Sequence, residues 1–416
     1  MEVLEKQNCA ISLLAFPVSH IIGGGKPVRK SYHLIVFLKS DEGIFLGEGT
    51  PYGSSIVRDY INFSSLIERL QECTFKEARM KLAEYERSLL KKSWRISWGA
   101  FLALEMALLD FYGKKRRVRV ANILGGVFRE KINVWGTVFL DIPSRMKYGL
   151  VSWLRKGVKH IKIKIPCSLS ELRKILSSLV DDVKEHNVIL RADANECFQS
   201  IDKAFRALKL MEKYNVSIVE QPMPRDRLRE IRVLHKHFYP SLEIMLDESL
   251  VHPNMIERIA FEEITNTINI HPSRFGCLTI TRETILRAQN LGLKVQIGSS
   301  SMTEIGLAGY LHLASSIPRL DYPLEEVGLA SFYPSYSILR EFFKPVFDIV
   351  DGHITLSNKP GIGIDISDLN FEVLKKYSIS TSLRDFILAS ISHVINRLNM
   401  QYFHEKVFVT NPKSSA

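Results

Sequence analysis

Cysteine is scarce in this sequence, and long apolar runs are missing altogether. The 416 residues include five cysteines without CxxC spacing, which argues against a disulfide framework and against a cysteine-ligated zinc site. No run of eighteen apolar residues occurs, so no membrane span is expected. The first residues, with Glu2, Glu5 and Pro17 around the apolar stretch, make a poor signal peptide. These features together predict a cytoplasmic protein with reduced thiols.

Positive charge is in excess, with a net charge of +11 and a pI of about 9.3. Such a balance is compatible with nucleic acid, an anionic membrane surface or an acidic small molecule as the partner. The densest run, KKRRVR (114–119), directly follows an apolar helical pattern. A solvated helix end, where the helix dipole favours cations, therefore explains it better than a nucleic-acid patch does. We expect a small-molecule partner, and predict neither nucleic-acid nor membrane binding.

Short segments with strand character begin at intervals of roughly 23 to 28 residues after residue 130. They are INVWGTVFL (132–140), HIKIKI (160–165), VILRAD (188–193), VSIVE (216–220), EIMLDE (243–248), NTINIH (266–271) and LKVQIG (293–298), with RLDYPLEE (319–326) as a weaker eighth. The segments between them have helical periodicity, and strand–helix units at constant spacing predict a parallel sheet. Their number favours a closed (β/α) barrel over a doubly wound sheet, and no GxGxxG turn follows the first strand.

The regions before and after the barrel pattern differ from it. Residues 1–130 predict an α+β domain, in which HLIVFLKSDEGIFLGEG forms two strands around a turn at residues 41–43 and helical patterns follow. Residues 131–340 are the predicted barrel domain. Residues 341–416 form a C-terminal segment with a strand-like stretch at 352–367, a helical pattern at 382–400 and a polar tail.

Three carboxylates stand at the ends of consecutive predicted strands. Asp193, Glu220 and Asp247 are separated by equal steps of 27 residues, and barrel active sites lie at the carboxyl ends of the strands. Converging carboxylates repel each other unless a cation intervenes, and Mg²⁺ prefers oxygen ligands. The alternative, in which each one caps a helix or pairs with a lysine, does not explain the common register. Asn195 and Glu248 are candidate partners that orient these ligands or contact substrate.

The stretch HIKIKIP (160–166) raises the question of which way its lysines face. Lys162 and Lys164 share one parity and three isoleucines share the other, so they lie on opposite faces of a strand. In a barrel the isoleucines pack outward on helices and the lysines point into the interior. A cationic neighbourhood would then lower the pKa of Lys164 and make it a usable base. An ordinary surface strand is the alternative, and it leaves the adjacent carboxylate strand unexplained.

The ordered set of motifs resembles the enolase superfamily, and more closely its muconate-lactonizing-enzyme subgroup. The matching motifs are Lys162-Ile163-Lys164, Asp193-Ala194-Asn195, Glu220-Gln221-Pro222 and Asp247-Glu248-Ser249, and the similarity spans roughly residues 10–367. The resemblance implies a modified TIM (β/α) barrel closed by the N-terminal capping domain, to which the C-terminal segment returns. It also implies a homo-oligomer, by analogy alone.

The resemblance further implies a chemistry. Asp193, Glu220 and Asp247 would bind Mg²⁺, with Mn²⁺ as a substitute, and the metal would bind the carboxylate of a small substrate. A base would remove the adjacent α-proton to give a metal-stabilised enediolate. In the family pattern Lys164 is the acid/base, and Lys162 helps to hold the substrate carboxylate.

The sequence departs from the subgroup at the end of strand six, where His271 replaces the usual second lysine. An imidazole is a competent base near neutral pH, but it is not a permanent cation. Three interpretations stay open at this point. Lys164 and His271 act as two bases on opposite faces, or Lys164 acts alone while His271 contacts substrate, or the function of a second base has been lost.

Two further acidic residues and two loops are candidates for substrate contacts. Glu304 matches a family position near the substrate, and it could equally be a helix-start carboxylate. Asp321 could contact an ammonium group, but Pro323 stands where the dipeptide-epimerase pattern needs a second acid. The loops at 19–27 and 49–55 should close over the substrate, with the glycines at 23–25 as a hinge.

The predicted outcome is racemisation or epimerisation, or cycloisomerisation, because two candidate bases face each other. The alternative within the same family is syn-dehydration by a lyase resembling o-succinylbenzoate synthase, which needs one base. A non-catalytic binding protein on the same fold is the competing class.

Overall fold

The computed structural model describes residues 4, 9–51, 56–91, 98–299, 301–325, 341 and 346–380. None of the helices in these ranges has the length and apolar character needed to cross a membrane. The helical pattern predicted at 382–400 lies outside the described residues.

The N-terminal region opens with an antiparallel sheet. Strands β1 (Cys9–Ile22), β2 (Lys26–Ser40) and β3 (Gly43–Gly49) are neighbours in chain order. The turn between β2 and β3 is where the sequence predicts it, with Ser40 paired to Gly43. The other edge of β1 is covered by β13 (Ser378–Ser380), near the end of the described chain. The cap sheet is therefore built from both ends of the chain.

Three helices cover this sheet: α1 (Ile56–Leu70), α2 (Phe75–Leu90) and α3 (Gly99–Arg116). α2 begins at a capping box, in which Thr74 and Glu77 satisfy each other's backbone amides. α3 packs directly on β3, because a Cβ at Gly47 or at Gly49 would lie about 2 Å from a backbone carbonyl oxygen of α3. These two glycines let the cap close into one layer of sheet and one of helices.

The last turn of α3 holds the basic run. Lys114 pairs with Asp110 at 2.9 Å, and Lys115 pairs with Glu42 at 2.7 Å. Asp110, which is fully buried, also accepts backbone hydrogen bonds from Leu46 and Ile362. The first of these lysines therefore belongs to a contact that joins the helix, the cap sheet and the C-terminal segment.

Eight parallel strands form the second domain, and each coincides with a predicted segment. They are β4 (Lys131–Val138), β5 (His160–Lys164), β6 (Ile189–Asp193), β7 (Val216–Glu220), β8 (Glu243–Leu246), β9 (Thr267–Ile270), β10 (Lys294–Ile297) and β11 (Leu324–Glu325). Their order follows the chain from β4 to β10, with β11 beside β4. The fold is thus a modified (β/α) barrel with an α+β cap, as predicted.

The barrel helices alternate with these strands. They are α4 (Val120–Leu124), α5 (Pro143–Leu154), α6 (Leu169–Glu185), α7 (Ile201–Lys213), α8 (Leu228–Phe238), α9 (Met255–Phe261), α10 (Pro272–Phe275), α11 (Leu278–Asn290) and α12 (Glu304–Ser316). A short strand, β12 (His353–Thr355), runs antiparallel to β4, and α13 (Phe371–Tyr377) leads into β13. The C-terminal segment thus crosses from the barrel to the cap.

Side chains complete the wall between β10 and β11. Gln296 donates through Nε2 to the carbonyl of Pro323 at 2.8 Å. Asp321 accepts a hydrogen bond from the backbone N–H of Val295 at 2.9 Å and another from Gln289 at 2.8 Å. Asp321, predicted as a contact for a substrate ammonium, therefore holds the junction between the seventh and eighth barrel strands.

A buried histidine in α12 joins the barrel to the helix α4. His312 is fully buried, and its Nδ1 accepts a hydrogen bond from the backbone N–H of Ala121 at 3.2 Å. Burial lowers the pKa of His312 from 6.5 to about 4. The neutral imidazole is thus the form that the fold accommodates.

Acidification should therefore destabilise the fold through His312. In the unfolded chain the imidazole of His312 binds a proton near pH 6.5, whereas in the folded chain it stays neutral down to about pH 4. The contribution to stability is full above pH 6.5 and falls as the pH drops through this window, in total by on the order of 3 kcal/mol. Urea unfolding measures the free energy of unfolding at about pH 7.5 and about pH 5. Its decrease between these pH values should be smaller for His312→Asn than for the wild type, because asparagine keeps a hydrogen-bond acceptor but does not titrate. His353→Asn, on the short strand β12, is the control and should retain the decrease.

Candidate active site

Strand register brings the predicted lysine and two of the carboxylates to one level. Lys164 is the neighbour of Asp193 across β5 and β6, and Asp193 is the neighbour of Glu220 across β6 and β7. Asp247 directly follows the end of β8. All four side chains are buried. The equal spacing in sequence therefore corresponds to one edge of the barrel.

The lysines of HIKIKIP point into the barrel. Lys164 donates through Nζ to Asp193, and it lies 3.2 Å from Asn195 Oδ1. Lys162, one layer below, pairs with Glu325 and lies 3.7 Å from Asp193 Oδ2 and 3.9 Å from Glu220 Oε2. The three isoleucines pack in the apolar core. The strand thus separates charge from apolar surface in the way that its alternation predicts.

The two lysines differ in acidity. Burial lowers the pKa of Lys162 to about 8, despite the opposing effect of Glu220. For Lys164 burial also acts to lower the pKa, but Asp193, Glu220 and Glu248 outweigh it, so that the pKa is raised. The expectation of a lowered pKa is therefore wrong for Lys164 in this arrangement, because its carboxylate neighbours dominate its cationic ones.

Each of the three predicted metal ligands is paired with a cation. Asp193 accepts from Lys164, Glu220 Oε2 lies 3.3 Å from Arg191 Nε, and Asp247 pairs with Arg274. Burial favours the neutral acid at Glu220 and at Asp247, but their cationic neighbours lower both pKa values, that of Asp247 strongly. Both carboxylates are consequently ionised near neutral pH.

The donor set fits a hard divalent cation, although it is not assembled around one point. Within the described ranges no three His, Cys, Asp or Glu side chains are arranged to hold a metal as they stand. Asp193 and Glu220 nevertheless pair in register on β6 and β7, Asp247 directly follows β8, and buried oxygen ligands of this kind suit Mg²⁺. The residues could hold the ion once Lys164 and Arg274 have released their partners.

His271 lies at the end of β9 and contacts a predicted metal ligand. Its Nε2 is 3.0 Å from Asp247 Oδ1. Burial lowers the pKa of His271 to about 4, with a further contribution from Arg274. The imidazole is thus neutral near pH 7, and its Nε2 faces the carboxylate of Asp247. Gly298 makes room for the ring, because a Cβ there would lie 2.5 Å from Nε2.

Asn195 connects Lys164, Glu248 and the cap. Its Oδ1 accepts hydrogen bonds from Lys164 and, at 2.9 Å, from the backbone N–H of Gly23. Its Nδ2 donates to Glu248 at 2.9 Å. Asn195 adopts φ +44°, in the left-handed region, which is a strained conformation for a side chain on this turn. Burial raises the pKa of Glu248 to about 8.

The predicted lid loop is seated directly on the strand ends. The segment Gly23–Gly25 forms a single 3₁₀ turn, in which the N–H of Gly24 donates to Ile165 at 2.8 Å. A Cβ at Gly23 would lie 2.6 Å from the carbonyl oxygen of Asp193. Lys26 reaches the carbonyl of Asn195 at 3.3 Å. Glycine is therefore needed for close approach, in addition to any hinge function.

The same loop brings a histidine over the site. The His20 ring lies 4.1 Å from the ring of Phe139, which follows β4. Burial lowers the pKa of His20 to about 4, and the charge of Lys164 lowers it further. A neutral aromatic pair thus lies near Lys164 on the cap side. The second loop, at 49–55, is described only as far as residue 51.

Glu304 is the first residue of α12 and is buried. The preceding Thr303 caps the helix, and Glu48 of β3 accepts hydrogen bonds from the Thr303 and Gly306 backbone N–H groups. Glu48 also lies 2.8 Å from His33 Nδ1. The helix start is thus joined to the cap sheet through Glu48, a contact that sequence reasoning missed.

Other residues of the site were also missed. Arg191 and Glu325 are fully buried in the barrel, where they pair at 3.2 Å, and Arg191 lies over the ring of Trp135 at 4.4 Å. Asn269 donates to both Glu220 and Glu325. Gln221 accepts from the backbone N–H groups of Asp247 and Ser249, and so positions the third carboxylate. The parity of Arg191 with Asp193 was the available sequence signal.

Comparisons with known proteins agree with this architecture. Residues 148–369 match the family model described as "Enolase C-terminal domain-like". An o-succinylbenzoate synthase of Bacillus subtilis is 31% identical over 278 residues, which cover 66% of this chain and 69% of the relative. An N-succinyl-L-Arg/Lys racemase of Bacillus cereus is 22% identical over 342 residues, 80% of this chain and 88% of the relative.

A solved structure shows the same fold. The enolase of Thermobispora bispora, complexed with magnesium and formate, superposes with a TM-score of 0.75 at 18% identity, covering 90% of this chain and 92% of that one. Barrel, cap and family match all lead to one assignment: the chain belongs to the enolase superfamily, as an isomerase or lyase.

Proposed function

We propose that this enzyme removes the α-proton of a small carboxylate substrate with Lys164. The observation that carries the proposal is the position of Lys164, which is buried, pairs in register with Asp193, and has Glu220 at the same level on the next strand. A lysine at this place can take a proton from carbon and return it, provided that its own ammonium proton is first released.

Asp193, Glu220 and Asp247 are the residues that would hold Mg²⁺. When bound there, Mg²⁺ would offset the carboxylates that raise the pKa of Lys164 and would polarise a substrate carboxylate. A magnesium-containing structure with the same fold and the chemistry of the donor set support this assignment. We infer that Lys164 then turns from Asp193 towards the substrate, while Asn195 keeps it oriented.

Lys162 would support the substrate carboxylate from the layer below. Its ammonium is buried and is shared among Glu325, Asp193 and Glu220. With a pKa of about 8, it is charged for most of the population at neutral pH. It can therefore stabilise the negative charge that develops when the α-proton leaves.

The position of His271 favours a reaction with one base. Its Nε2 lies 3.0 Å from Asp247 Oδ1, so that nitrogen is turned towards a predicted metal ligand and away from a substrate proton. We therefore propose syn loss of water: Lys164 takes the α-proton, and the resulting ammonium protonates the hydroxyl that leaves from the same face. The 31% identity to a synthase supports this outcome over the isomerase outcomes that the sequence favoured.

Racemisation or epimerisation is the second candidate. It is favoured by the neutral state of His271, since an unprotonated imidazole can act as a base after a rotation that frees Nε2. The similarity to an N-succinyl-L-Arg/Lys racemase also supports it. Cycloisomerisation is the other isomerase outcome of the same proposed α-proton removal.

A mass-spectrometric screen of pooled carboxylic acids in D₂O with Mg²⁺ tests the proposal. Loss of water from one pool member is the expected result. Deuterium incorporation into an otherwise unchanged pool member would replace dehydration by racemisation, and a new isomer, separated by chromatography, would indicate cycloisomerisation. If a broad pool shows no reaction and Mg²⁺ has no effect on thermal stability, the proposal fails in favour of a non-catalytic binding protein.

A further inference from the structure

Two cysteines lie together beneath the lid loop, and the proposed reaction uses neither. Cys167 follows β5 and is partly exposed, and Cys197 follows β6 and is buried. The two thiols are close enough for each to shift the acidity of the other. Segments that follow neighbouring strands therefore bring the two side chains together, although the residues are far apart in sequence.

Both cysteines touch the lid. A Cβ at Gly24 would lie 3.2 Å from Cys197 Cβ and 3.6 Å from Cys167 Sγ. Cys167 Sγ lies 3.9 Å from the carbonyl oxygen of Gly24. The turn that carries Cys197 begins at Asn195, whose side chain accepts from the N–H of Gly23. A change at the sulfur pair is thus transmitted to the backbone of the lid over one or two contacts.

The pair is also chemically unequal. Interaction with the Cys197 thiol lowers the pKa of Cys167 to about 7 against the effect of burial, with help from Lys203 and Lys26, and the pKa of Cys197 is raised. Cys9, which is also partly exposed, has a pKa that burial raises to about 12. A reactive thiolate beside a thiol that can resolve it is the arrangement of a peroxide-responsive pair.

We propose that Cys167 and Cys197 form a hydroperoxide-responsive dithiol whose disulfide unseats the Gly23–Gly25 turn of the lid. The Cys167 thiolate attacks one oxygen of hydrogen peroxide, so that an S–O bond forms, the O–O bond breaks and water leaves after protonation. Cys197 then attacks that sulfur, an S–S bond forms, the S–O bond breaks and a second water leaves. Two thiols lose two electrons, and the peroxide accepts them.

The inference does not depend on the proposed reaction, and peptide mapping of the full-length protein tests it. Trypsin releases residues 165–173 and 192–203 as separate peptides with one cysteine each. Treatment with equimolar hydrogen peroxide should join them in a product lighter by two hydrogens, which dithiothreitol separates. In the Cys197→Ser variant the oxidation should stop at a Cys167 sulfenic acid, which dimedone traps. In the Cys167→Ser variant the peroxide should leave Cys197 unmodified.

Cys9 is the control, since it is also partly exposed and has a pKa that burial raises. Alkylation near neutral pH should be more than about tenfold faster at Cys167 than at Cys9. Equal rates, or oxidation of wild-type protein without the linked peptide, would overturn the proposal.

The effect on the lid has its own measurement. Hydrogen exchange at the Gly23 and Gly24 amides, which donate to Asn195 and Ile165, should be faster in the disulfide form than in the reduced form. A linked peptide with unchanged exchange at these two amides would refute the coupling to the lid.

Discussion

Replacement of Lys164 by alanine should abolish the reaction in D₂O while leaving the effect of Mg²⁺ on thermal stability in place. Proton transfer by a positioned side chain accounts for roughly 10²–10⁴-fold in rate, so we expect a loss of about 10³-fold or more. Asp193, Glu220 and Asp247 remain in the variant as the candidate metal ligands. The measurement is turnover of the pool member that the wild-type enzyme converts.

His271→Gln is the matched comparison for this prediction. If Lys164 is the sole base, His271→Gln should retain turnover within about tenfold, because the amide can still donate to Asp247. Lys164→Arg, which keeps a cation beside Asp193, should be as inactive as Lys164→Ala and controls for loss of the buried ion pair. Activity that survives in Lys164→Ala and disappears in His271→Gln would transfer the role of base to the histidine.

Asp247→Asn should remove the stabilisation of the fold by Mg²⁺. An ion that binds only the folded state at a concentration of 100 times its Kd stabilises that state by about 2.7 kcal/mol. The wild-type melting temperature should therefore rise with Mg²⁺, and that of Asp247→Asn should not, because a neutral amide replaces one of three anionic ligands. Thermal melts with and without Mg²⁺ measure this directly.

Asp141→Asn is the control for the metal experiment. Asp141 follows β4 at the same end of the barrel, but it is exposed and pairs with Arg145 at 3.4 Å. This variant should retain the full increase in melting temperature. If both variants retain it, the three carboxylates are not the metal ligands.

The barrel strands and their functional ends were predictable because two periodicities coincide. Alternation within each strand determines which side chains face inward, and the constant length of the strand–helix units places the strand ends at one level. Lys162, Lys164, Asp193 and Glu220 follow from these two patterns alone. His271 could likewise be located at the end of β9 from its position in NTINIH.

The pairings among those side chains were not predictable from spacing. Glu325 meets Lys162 and Arg191 because β11 closes the sheet beside β4, a contact that depends on the register of strands far apart in the chain. The raised pKa of Lys164 has the same origin, since it results from how closely three carboxylates approach one ammonium. The sequence therefore locates these groups, but it does not give the distances between them, which determine their charge states.

The pairing of β13 with β1 has a consequence for the order in which the chain folds. β1 (Cys9–Ile22) leaves the ribosome first, but the strand that covers its edge, Ser378–Ser380, follows the whole barrel. During synthesis that edge of the cap sheet therefore stays open for more than three hundred residues, and open edges pair readily with other chains. The barrel can complete its own sheet earlier, at Leu324–Glu325. A nascent chain halted after β11 and before β13 should carry all eight barrel strands and a cap sheet with an unpaired edge at β1.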